Sequence, residues 1–205
     1  MRAIEIYGNN VSISNNFIYS DRDLLQGSSS KGDAEVFIDV SVSISCYGSK
    51  VSVLNNTVIN SFKAISIYNC SNAKICNNHV NTEGDREGEI QLQYVSYAII
   101  ENNEVFNQWD PIEIYNSRHL IIRKNHIVDG SSGIRIEIVD YLPQIAQENI
   151  TITGNEVVDA PHTKIEHARN VLIEDNTFIG KKVKLFDVEN AEVINNTIRG
   201  ILIID

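Results

Sequence analysis

An asparagine recurs along this chain, each time just after a short stretch in which apolar and polar residues alternate. The stretch NNVSISNNFI, which begins at Asn9, is the first example, and ENITITGNEV and NAEVINNTI are later ones. The intervals between the recurring asparagines are 40, 22, 25, 22, 30, 21 and 20 residues, and the asparagines are Asn16, Asn56, Asn78, Asn103, Asn125, Asn155, Asn176 and Asn196. A period near 22 residues with occasional longer members is typical of a solenoid whose loops carry insertions.

Each repeat contains three short segments that have the two-residue period of β-strands. One segment, such as Val51-x-Val53, directly precedes the asparagine, another such as ISCYGS lies before it, and a short one such as TVIN follows the asparagine. Three strands per turn predict an all-β fold, a single-stranded right-handed parallel β-helix with about eight complete coils. We expect one domain over residues 1–205, with loop insertions at residues 20–35 and 139–148.

The recurring asparagine has a structural explanation in such a fold. An asparagine at a bend between strands can adopt a turn conformation, and its amide can both donate and accept hydrogen bonds. Stacked coils place each asparagine above the equivalent one, so the amides are expected to form an internal ladder. We therefore interpret the recurring asparagines as part of the scaffold and not as catalytic residues.

The segments NITITGNEV and NVLIEDNTF resemble the repeats of the pectate-lyase-like superfamily of parallel β-helices. That superfamily includes polysaccharide lyases, some glycoside hydrolases, uronate epimerases and phage tailspikes. The resemblance covers nearly the whole chain and implies the fold, but one scaffold hosts many chemistries. The catalytic motifs NTD, DD, GHG and RIK of polygalacturonase-like enzymes are absent, as is the RHG of one alginate-lyase-like group. The resemblance therefore transfers no catalytic residue.

The resemblance also implies that a substrate lies along the outside of the first strand of each coil. The distance from the first strand to the asparagine is nearly constant, which allows the outward-facing residues to be aligned from coil to coil. The middle coils present a polar set, which is Gln91, Gln93, Glu113, Tyr115, Arg135, Glu137, Lys164 and Glu166. Among these we predict that the catalytic residues are Glu113, Glu137, Glu166, Arg135 and Lys164. The predicted substrate-binding residues are Trp109, Asp110, Tyr115, Gln91 and Gln93.

The spacing of a parallel sheet suggests a chemistry for this set. Glu137 and Glu166 are expected one coil apart, close enough for one carboxylate to raise the pKa of the other. Glu113 is expected at about 8 Å from Glu137, a separation that inverting glycosidases use. Arg135 and Lys164 could neutralise a uronate carboxylate or act as the base of a lyase.

The same residues have a simpler interpretation, because alternating charges also stabilise a solvated sheet face. The loop residue Trp109 is either a platform for a sugar ring or a cap over the core. Three functions therefore stay open. They are a lyase or hydrolase acting on an extracellular polysaccharide, a glycan-binding or host-attachment segment such as a phage tailspike, and a structural stalk.

Composition narrows the partners and cofactors. The net charge of −10 argues against binding to nucleic acid. The sequence contains no run of 18 apolar residues, so it predicts no membrane-spanning helix. The three cysteines, Cys46, Cys70 and Cys76, are odd in number and so cannot form a complete set of disulfides within the chain, and their spacing is not that of a zinc site. We therefore expect buried free thiols. No cofactor or metal is expected, and calcium is possible but not favoured because cations are interleaved with the candidate carboxylates. His79 and His126 are expected to form surface ion pairs.

The ends and the sequons give expectations about location and assembly. The first residues lack a secretion signal, and the N-x-S/T triplets beside recurring asparagines fit a bacterial or phage source, with an extracellular, cell-surface or virion location. Leu202 and Ile204 fall at positions that the alignment predicts to face solvent, near Phe186. We therefore expect a homo-oligomer or attachment to further chain at the C-terminal end.

Overall fold

The computed structural model describes residues 4–19, 42–60, 63–81, 90–106, 109–138 and 146–205. Within these ranges the chain forms twenty β-strands and no helix. In chain order the strands are β1 (Ile4–Tyr7), β2 (Val11–Ser14), β3 (Phe17–Tyr19), β4 (Val42–Gly48), β5 (Val51–Leu54), β6 (Thr57–Ile59), β7 (Lys63–Cys70), β8 (Ala73–Cys76), β9 (His79–Asn81), β10 (Ile90–Gln93), β11 (Ala98–Glu101), β12 (Glu104–Phe106), β13 (Ile112–Tyr115), β14 (Leu120–Arg123), β15 (His126–Val128), β16 (Ile134–Glu137), β17 (Gln147–Thr153), β18 (Glu156–Glu174), β19 (Thr177–Ile194) and β20 (Thr197–Ile204).

Each strand pairs in parallel with the equivalent strand of the next turn, which produces three columns of strands. The first column runs through β1, β4, β7, β10, β13 and β16. The second column runs through β2, β5, β8, β11, β14 and β17. The third column runs through β3, β6, β9, β12, β15 and the start of β18. This arrangement is an all-β parallel solenoid, so the predicted fold class is confirmed.

The solenoid has about 6 turns, slightly fewer than the eight coils that the sequence predicts. The two counts diverge towards the C-terminal end, where single strands continue from one column into the next. Strand β18 pairs with the third column through Val157, with the first through Lys164 and with the second through Val171. Strands are therefore fewer there than three per repeat.

The core consists mainly of stacked isoleucine and valine residues. Ile44, Ile65, Ile90, Ile112 and Ile134 lie directly above one another in the first column, and each is 0 % exposed. Burying a side chain of this size contributes about 1.5–3 kcal/mol. Because a shift of one residue would turn all these side chains outward, the apolar alternation fixes the register of the strands.

The recurring asparagines form one hydrogen-bonded column inside the solenoid. The Nδ2 group of Asn78 donates to Oδ1 of Asn103 at 2.9 Å, and the backbone N–H of Asn78 donates to the same oxygen at 3.0 Å. Its Nδ2 also donates to the carbonyl of Val53 at 3.0 Å. The same amide–amide bond repeats from Asn16 to Asn196. The predicted internal ladder is confirmed.

We expected the ladder asparagine itself to adopt the turn conformation. In the structure, the residue before each ladder asparagine adopts it instead. Asn15, Asn55, Asn77 and Asn102 all have φ between 53° and 59°. Asparagine tolerates this left-handed conformation better than most residues do. The frequent Asn-Asn pair in the sequence thus has two separate causes, a turn at its first member and the ladder at its second.

A second column of asparagines lies on the outside, at the turn before the second strands, and the sequence analysis missed it. Asn190 Nδ2 donates to Asn170 Oδ1 at 3.2 Å, and Asn170 Nδ2 donates to Asn149 Oδ1 at 3.1 Å. Asn149 Nδ2 in turn lies 3.1 Å from Nδ1 of His119. These side chains are exposed, so water can replace each bond at little cost.

The last turn departs from the predicted register. Lys184 pairs with Ile203, while Leu202 and Ile204 pair with the buried core residues Val183 and Leu185. The prediction that Leu202 and Ile204 are outward-facing is therefore wrong. Only Gly200 lies between Arg199 and Ile201, whereas two residues lie between the paired positions Ile179 and Lys182 of the preceding turn. The missing residue shifts the register of the last strand by one position. Both side chains are nonetheless exposed, at 40 % and 58 %.

Two other expectations can be compared with the described residues. The insertion predicted at residues 20–35 and most of the one at 139–148 lie outside them, but β17 already begins at Gln147, so the second insertion ends earlier than predicted. Cys46, Cys70 and Cys76 are buried free thiols, as predicted, and burial raises the pKa of Cys46 to about 11. Within the described ranges there is no helix with the length and apolar character needed to cross a bilayer.

Candidate functional site

The first column of strands brings the predicted polar residues together on one outer face. Gln91 pairs with Glu113, Glu113 with Arg135, and Arg135 with Lys164. Two residues further along the same strands, Gln93 pairs with Tyr115 and Tyr115 pairs with Glu137. The register predicted for these outward residues is therefore the one that the structure has. We call the charged part of this surface the first-column cluster, which comprises Asp110, Glu113, Arg135, Glu137, Lys164 and Glu166.

Arg135 is at the centre of the first-column cluster. Its Nη1 lies 2.6 Å from Asp110 Oδ2 and 3.4 Å from Glu113 Oε1, and its Nη2 donates to Glu137. Partial burial lowers the pKa of the guanidinium, but the carboxylates of Asp110 and Glu137 outweigh burial and raise it above its usual value. Arg135 is therefore a permanent cation that holds three carboxyl groups around it.

Glu113 is the most deeply buried carboxyl group of the outward column, with 4 % of its surface exposed. Gln91 Nε2 donates to its Oε2 at 2.8 Å, and the Tyr115 hydroxyl donates to its Oε1. Burial raises the pKa of Glu113, and the nearby Asp110 adds to the rise, whereas the two hydrogen bonds and Arg135 oppose it. A carboxyl group with a raised pKa can keep a proton and deliver it in a reaction.

Tyr115 acts as a fixed hydrogen-bond donor beside this carboxyl group. Burial raises the pKa of its hydroxyl, and the hydrogen bond to Glu113 and the charge of Glu113 raise it further. Tyr115 therefore stays protonated at any physiological pH, and its place in the strand fixes where the Glu113 carboxyl points. This contact gives Tyr115 a positioning role in addition to the substrate-binding role predicted from the sequence.

A chain of alternating charges continues from Glu137 towards the C-terminal end. Lys164 Nζ lies 3.4 Å from Glu137 Oε2 and 2.8 Å from Glu166 Oε2, and Lys184 Nζ lies 3.8 Å from Glu166 Oε1. Glu137 and Glu166 lie in adjacent turns, as expected, and the Lys164 ammonium group contacts both carboxylates. Lys184 joins the cluster although it was not among the predicted site residues.

The turn before β13 supplies the residues at the edge of the cluster. Trp109 is 49 % exposed, and its carbonyl accepts a hydrogen bond of 2.8 Å from the backbone N–H of Ser132. Asp110, in contrast, is buried, and it accepts a hydrogen bond from the Ser132 hydroxyl in addition to the contact with Arg135. The half-exposed indole is available as a platform beside the cluster, while Asp110 orients Arg135.

Gln91 connects the cluster to the preceding turns. Its Oε1 accepts hydrogen bonds from the Tyr68 hydroxyl at 2.8 Å and from Lys63 Nζ at 3.2 Å, so its amide group has a fixed orientation. Gln93 is half-buried between Tyr68 and Tyr115 in the strand pairing. The contribution of Lys63 was missed, because this residue lies at the start of β7 and outside the two outward positions that were aligned.

Two other columns of side chains are ordered on the surface. Tyr7, Tyr47 and Tyr68 stack, with ring centroids 4.7 Å and 5.2 Å apart. On the third column of strands, His79 Nδ1 lies 3.0 Å from Glu104 Oε2, and an equivalent pair at 2.9 Å, on the same face, consists of His126 and Glu156. The histidine–glutamate contacts lie on a face separate from the cluster and are ion pairs when the imidazole is protonated. The tyrosine column leads directly to Gln91.

Comparison with known protein families agrees with this architecture. The family model described as "Right handed beta helix region" matches residues 36–162, which is more than half of the chain, so the protein belongs to that family. The match establishes the right hand of the solenoid and is compatible with the pectate-lyase-like superfamily without singling it out. Neither the comparison with curated proteins nor the comparison with solved structures produced a match.

Proposed function

We propose that this protein is a carbohydrate-active β-helix module that hydrolyses glycosidic bonds in an extracellular polysaccharide. The observation that carries the proposal is the pair of carboxyl groups on Arg135. Glu113 is buried with a raised pKa, and Glu137 contacts two cations, Arg135 and Lys164. Glycosidases use two carboxyl groups in contrasting environments, separated by about 5–9.5 Å. The strand register puts Glu137 one turn and two residues away from Glu113, a separation of about 8 Å from the strand spacings.

The roles follow from the two environments. Glu113, in its protonated form, delivers its proton to the glycosidic oxygen of the leaving sugar as the bond to the anomeric carbon breaks. Glu137, as a carboxylate, assists attack on that carbon from the other side, and water supplies the new hydroxyl group. Arg135 orients both carboxyl groups, and Tyr115 and Gln91 hold Glu113 through the hydrogen bonds described above. Trp109 offers an apolar ring face to a sugar.

The charge arrangement favours a hydrolase over a lyase. A lyase that acts on uronates needs a cation for the substrate carboxylate and a base for the proton beside it. Arg135 and Lys164 are both already in contact with carboxylates of the protein, and the raised pKa of Arg135 prevents it from acting as a base. Loss of this pairing would be needed before either cation could neutralise a uronate.

One observation supports a second candidate, a glycan-binding segment without catalysis. The charged groups of the first-column cluster satisfy one another, and the Glu113 side chain is only 5 % exposed. A surface of this kind, with the half-exposed Trp109 and the stacked tyrosines beside it, can bind a sugar chain without cleaving it. Both candidates place the protein outside the cell or on a virion, where polysaccharides are encountered.

A polysaccharide panel tests the proposal when each reaction is measured in two ways. We expect new reducing ends with no ultraviolet absorbance from unsaturated uronates, because hydrolysis adds water and creates no double bond. Glu137→Gln should lower turnover about a hundredfold or more, the size expected for loss of a general base. The control is Glu192→Gln, which changes an exposed carboxylate on the second column of strands and should leave turnover unchanged.

The outcomes separate the candidates. Unsaturated products would replace the hydrolase with a lyase, and saturable binding without any product would support the glycan-binding segment. Full turnover by Glu137→Gln would remove that residue from the mechanism. A protein that neither binds nor cleaves any member of a broad panel would be a structural stalk, and the proposal would be wrong.

A further inference from the structure

A second groove lies on a different face of the solenoid, across the outer side of β5, β8, β11 and β14. It has a volume of about 390 Å³, which is within the size range of small-ligand sites. Ile99 and Ile121 pair with each other in adjacent strands and form an apolar floor, and Tyr97 and His119 form one wall. Lys50 and Lys74 contribute the polar part of the lining.

The aromatic wall is fixed in position. The rings of Tyr97 and His119 are stacked, with centroids 4.6 Å apart and planes 11° apart. Asn149 Nδ2 lies 3.1 Å from Nδ1 of His119, so the outer asparagine column holds the imidazole from the opposite side. Tyr97 is nevertheless 53 % exposed. A flat ring pair with one face supported by its neighbours is a preorganised platform for the apolar face of another ring.

The two lysines distinguish this groove from the first-column cluster. Arg135 and Lys164 contact carboxylates, whereas Lys50 and Lys74 make no ion pair with any described residue. Lys74 is close enough to Glu101 to contribute to the lowered pKa of that carboxyl group, but the hydrogen bond that dominates the shift comes from Arg123, at 2.9 Å. Two lysines that have no ion-pair partner in the part of the chain that the structure describes are therefore available in a protein whose net charge is −10.

The backbone at Lys50 has an unusual conformation for a lysine. Its φ is 57°, the left-handed region. Of the equivalent turn residues with this conformation, Asn10, Asn149, Asn170 and Asn190 are asparagines with φ between 54° and 58°, and His119 has φ 54°. Asparagine adopts this conformation at lower cost than lysine does. A lysine at this position lacks the conformational advantage of asparagine. It adds a positive charge at the edge of the groove.

We propose that this groove is a second, non-catalytic glycan site that binds a sugar unit carrying a carboxylate. The apolar face of the pyranose ring packs on Tyr97 and on the isoleucine floor. The carboxylate is bound by Lys50 and Lys74, which lie on the same side of that floor. The assignment to an acidic sugar rests on charge complementarity, because a neutral sugar would leave both ammonium groups unused and an anion without a ring would leave the platform unused.

This site is separate from the first-column cluster, so the proposal holds whether or not that cluster cleaves a polysaccharide. A chain that binds an acidic sugar on one face and hydrolyses a glycosidic bond on another would hold its substrate at two points. The presence of the only tryptophan, Trp109, beside the cluster allows the two sites to be observed separately.

Titration calorimetry with trigalacturonate, and with maltotriose as the neutral trisaccharide of the same length, tests the proposal. We expect trigalacturonate to bind with an affinity that falls as salt concentration rises, and maltotriose to bind at least tenfold more weakly. The double variant Lys50→Gln with Lys74→Gln should weaken trigalacturonate binding about tenfold or more, as should Tyr97→Ala. Emission of Trp109 should stay unchanged during the titration, since binding takes place on the other face.

Two control variants match these changes. Lys181→Gln removes an exposed lysine elsewhere, and Tyr19→Ala removes a tyrosine that is 57 % exposed, so neither should change the affinity. Absence of trigalacturonate binding at millimolar concentration, or equal binding by the lysine variants, would overturn the proposal. So would a change in Trp109 emission that accompanies all of the binding. A concentration-dependent dimer that Tyr97→Ala dissociates, with no sugar bound, would show that the groove is instead a contact between copies of the chain.

Discussion

The interior asparagine column and the outward face of the first strands are built on the same turns but follow opposite rules. Inside, every repeat has the same residue and almost the same hydrogen bonds, from Asn16 to Asn196. Outside, consecutive turns present different residues, and Gln91, Glu113 and Arg135 occupy equivalent positions. A residue that recurs in every turn meets a need that every turn has, whereas a position that changes from turn to turn is free to serve one site.

The same contrast appears in what surrounds the polar groups. The ladder amides from Asn56 to Asn176 are buried, and each bonds the equivalent amide in the next turn. Loss of one amide therefore leaves several buried groups without a hydrogen-bond partner and out of reach of water. In the first-column cluster the carboxyl groups of Glu113 and Asp110 are deeply buried, whereas those of Glu137 and Glu166 are partly exposed. Substitutions in the two regions should therefore separate stability from activity, and the predictions below are ordered by the size of the expected effect.

The largest effect is expected for Asn125→Ala in the interior column. Asn125 Oδ1 accepts hydrogen bonds from the backbone and side chain of Asn103, and its Nδ2 donates to Asn155 and to the carbonyl of Ile100. Each buried group left without a partner costs about 1–3 kcal/mol, so the free energy of unfolding should fall by about 3 kcal/mol or more. Denaturant unfolding measures this change, and a loss below about 1 kcal/mol would show that the ladder is dispensable.

The next effect concerns the substrate platform, where stability should not change. Trp109→Ala should raise KM about tenfold with a small effect on kcat, because a stacked ring contributes to binding in the ground state and the transition state alike. The melting temperature should stay the same, since the indole is half-exposed. A large loss of stability with no change in KM would indicate that the indole covers the core instead.

A smaller effect, specific to pH, is expected for Glu113→Gln. The folded-state pKa of Glu113 is raised, so the folded protein binds the proton more tightly than the unfolded chain does. The resulting stabilisation is fully present below the unfolded pKa of about 4.3 and is lost as pH rises through the folded pKa. As pH rises from the unfolded pKa through the folded pKa, the wild type should therefore lose stability relative to Glu113→Gln. Parallel pH profiles of the two proteins would contradict the raised pKa.

The smallest effect is expected for Asn170→Ala in the outer asparagine column. The Asn170 amide also bonds both neighbouring amides, Asn149 and Asn190, but it is exposed, so water can take over these contacts. The free energy of unfolding should change by less than about 1 kcal/mol, of which part reflects the left-handed conformation at this position. This variant is the matched control for Asn125→Ala, and equal losses in the two would mean that burial is not what makes the interior ladder strong.

The sequence allowed the fold and the alignment of the first-column cluster to be predicted, because each first strand lies at a nearly constant distance from a following asparagine. It did not allow the register of β20 to be predicted, since no such asparagine follows Leu202 and the connecting segment at Gly200 is one residue shorter. The burial of Glu113 and the position of Lys164 between Glu137 and Glu166 depend on how side chains pack across turns. Strand periodicity carries no information on those contacts.

The idea that apolar outward residues at the C-terminal end drive self-association must also be revised. Leu202 and Ile204 continue the inward columns, so the outward patch on which that prediction rested contains only Phe186 of the three residues. Phe186 is itself half-buried, with the Lys184 ammonium 4.7 Å from its ring centroid. The predicted self-association at the C-terminal end stays a proposal, which now rests on the exposed Leu202 and Ile204 at the open end of the core and not on an outward patch.

A crystal structure of the Glu137→Gln variant with an oligosaccharide from a polysaccharide that the wild type cleaves would test the central claim most directly. The account predicts a sugar chain across β10, β13 and β16, with one ring on Trp109 and a glycosidic oxygen within hydrogen-bond distance of Glu113. An oligosaccharide bound without contact to Glu113 or to residue 137, while the first-column cluster keeps its internal ion pairs unchanged, would contradict the account.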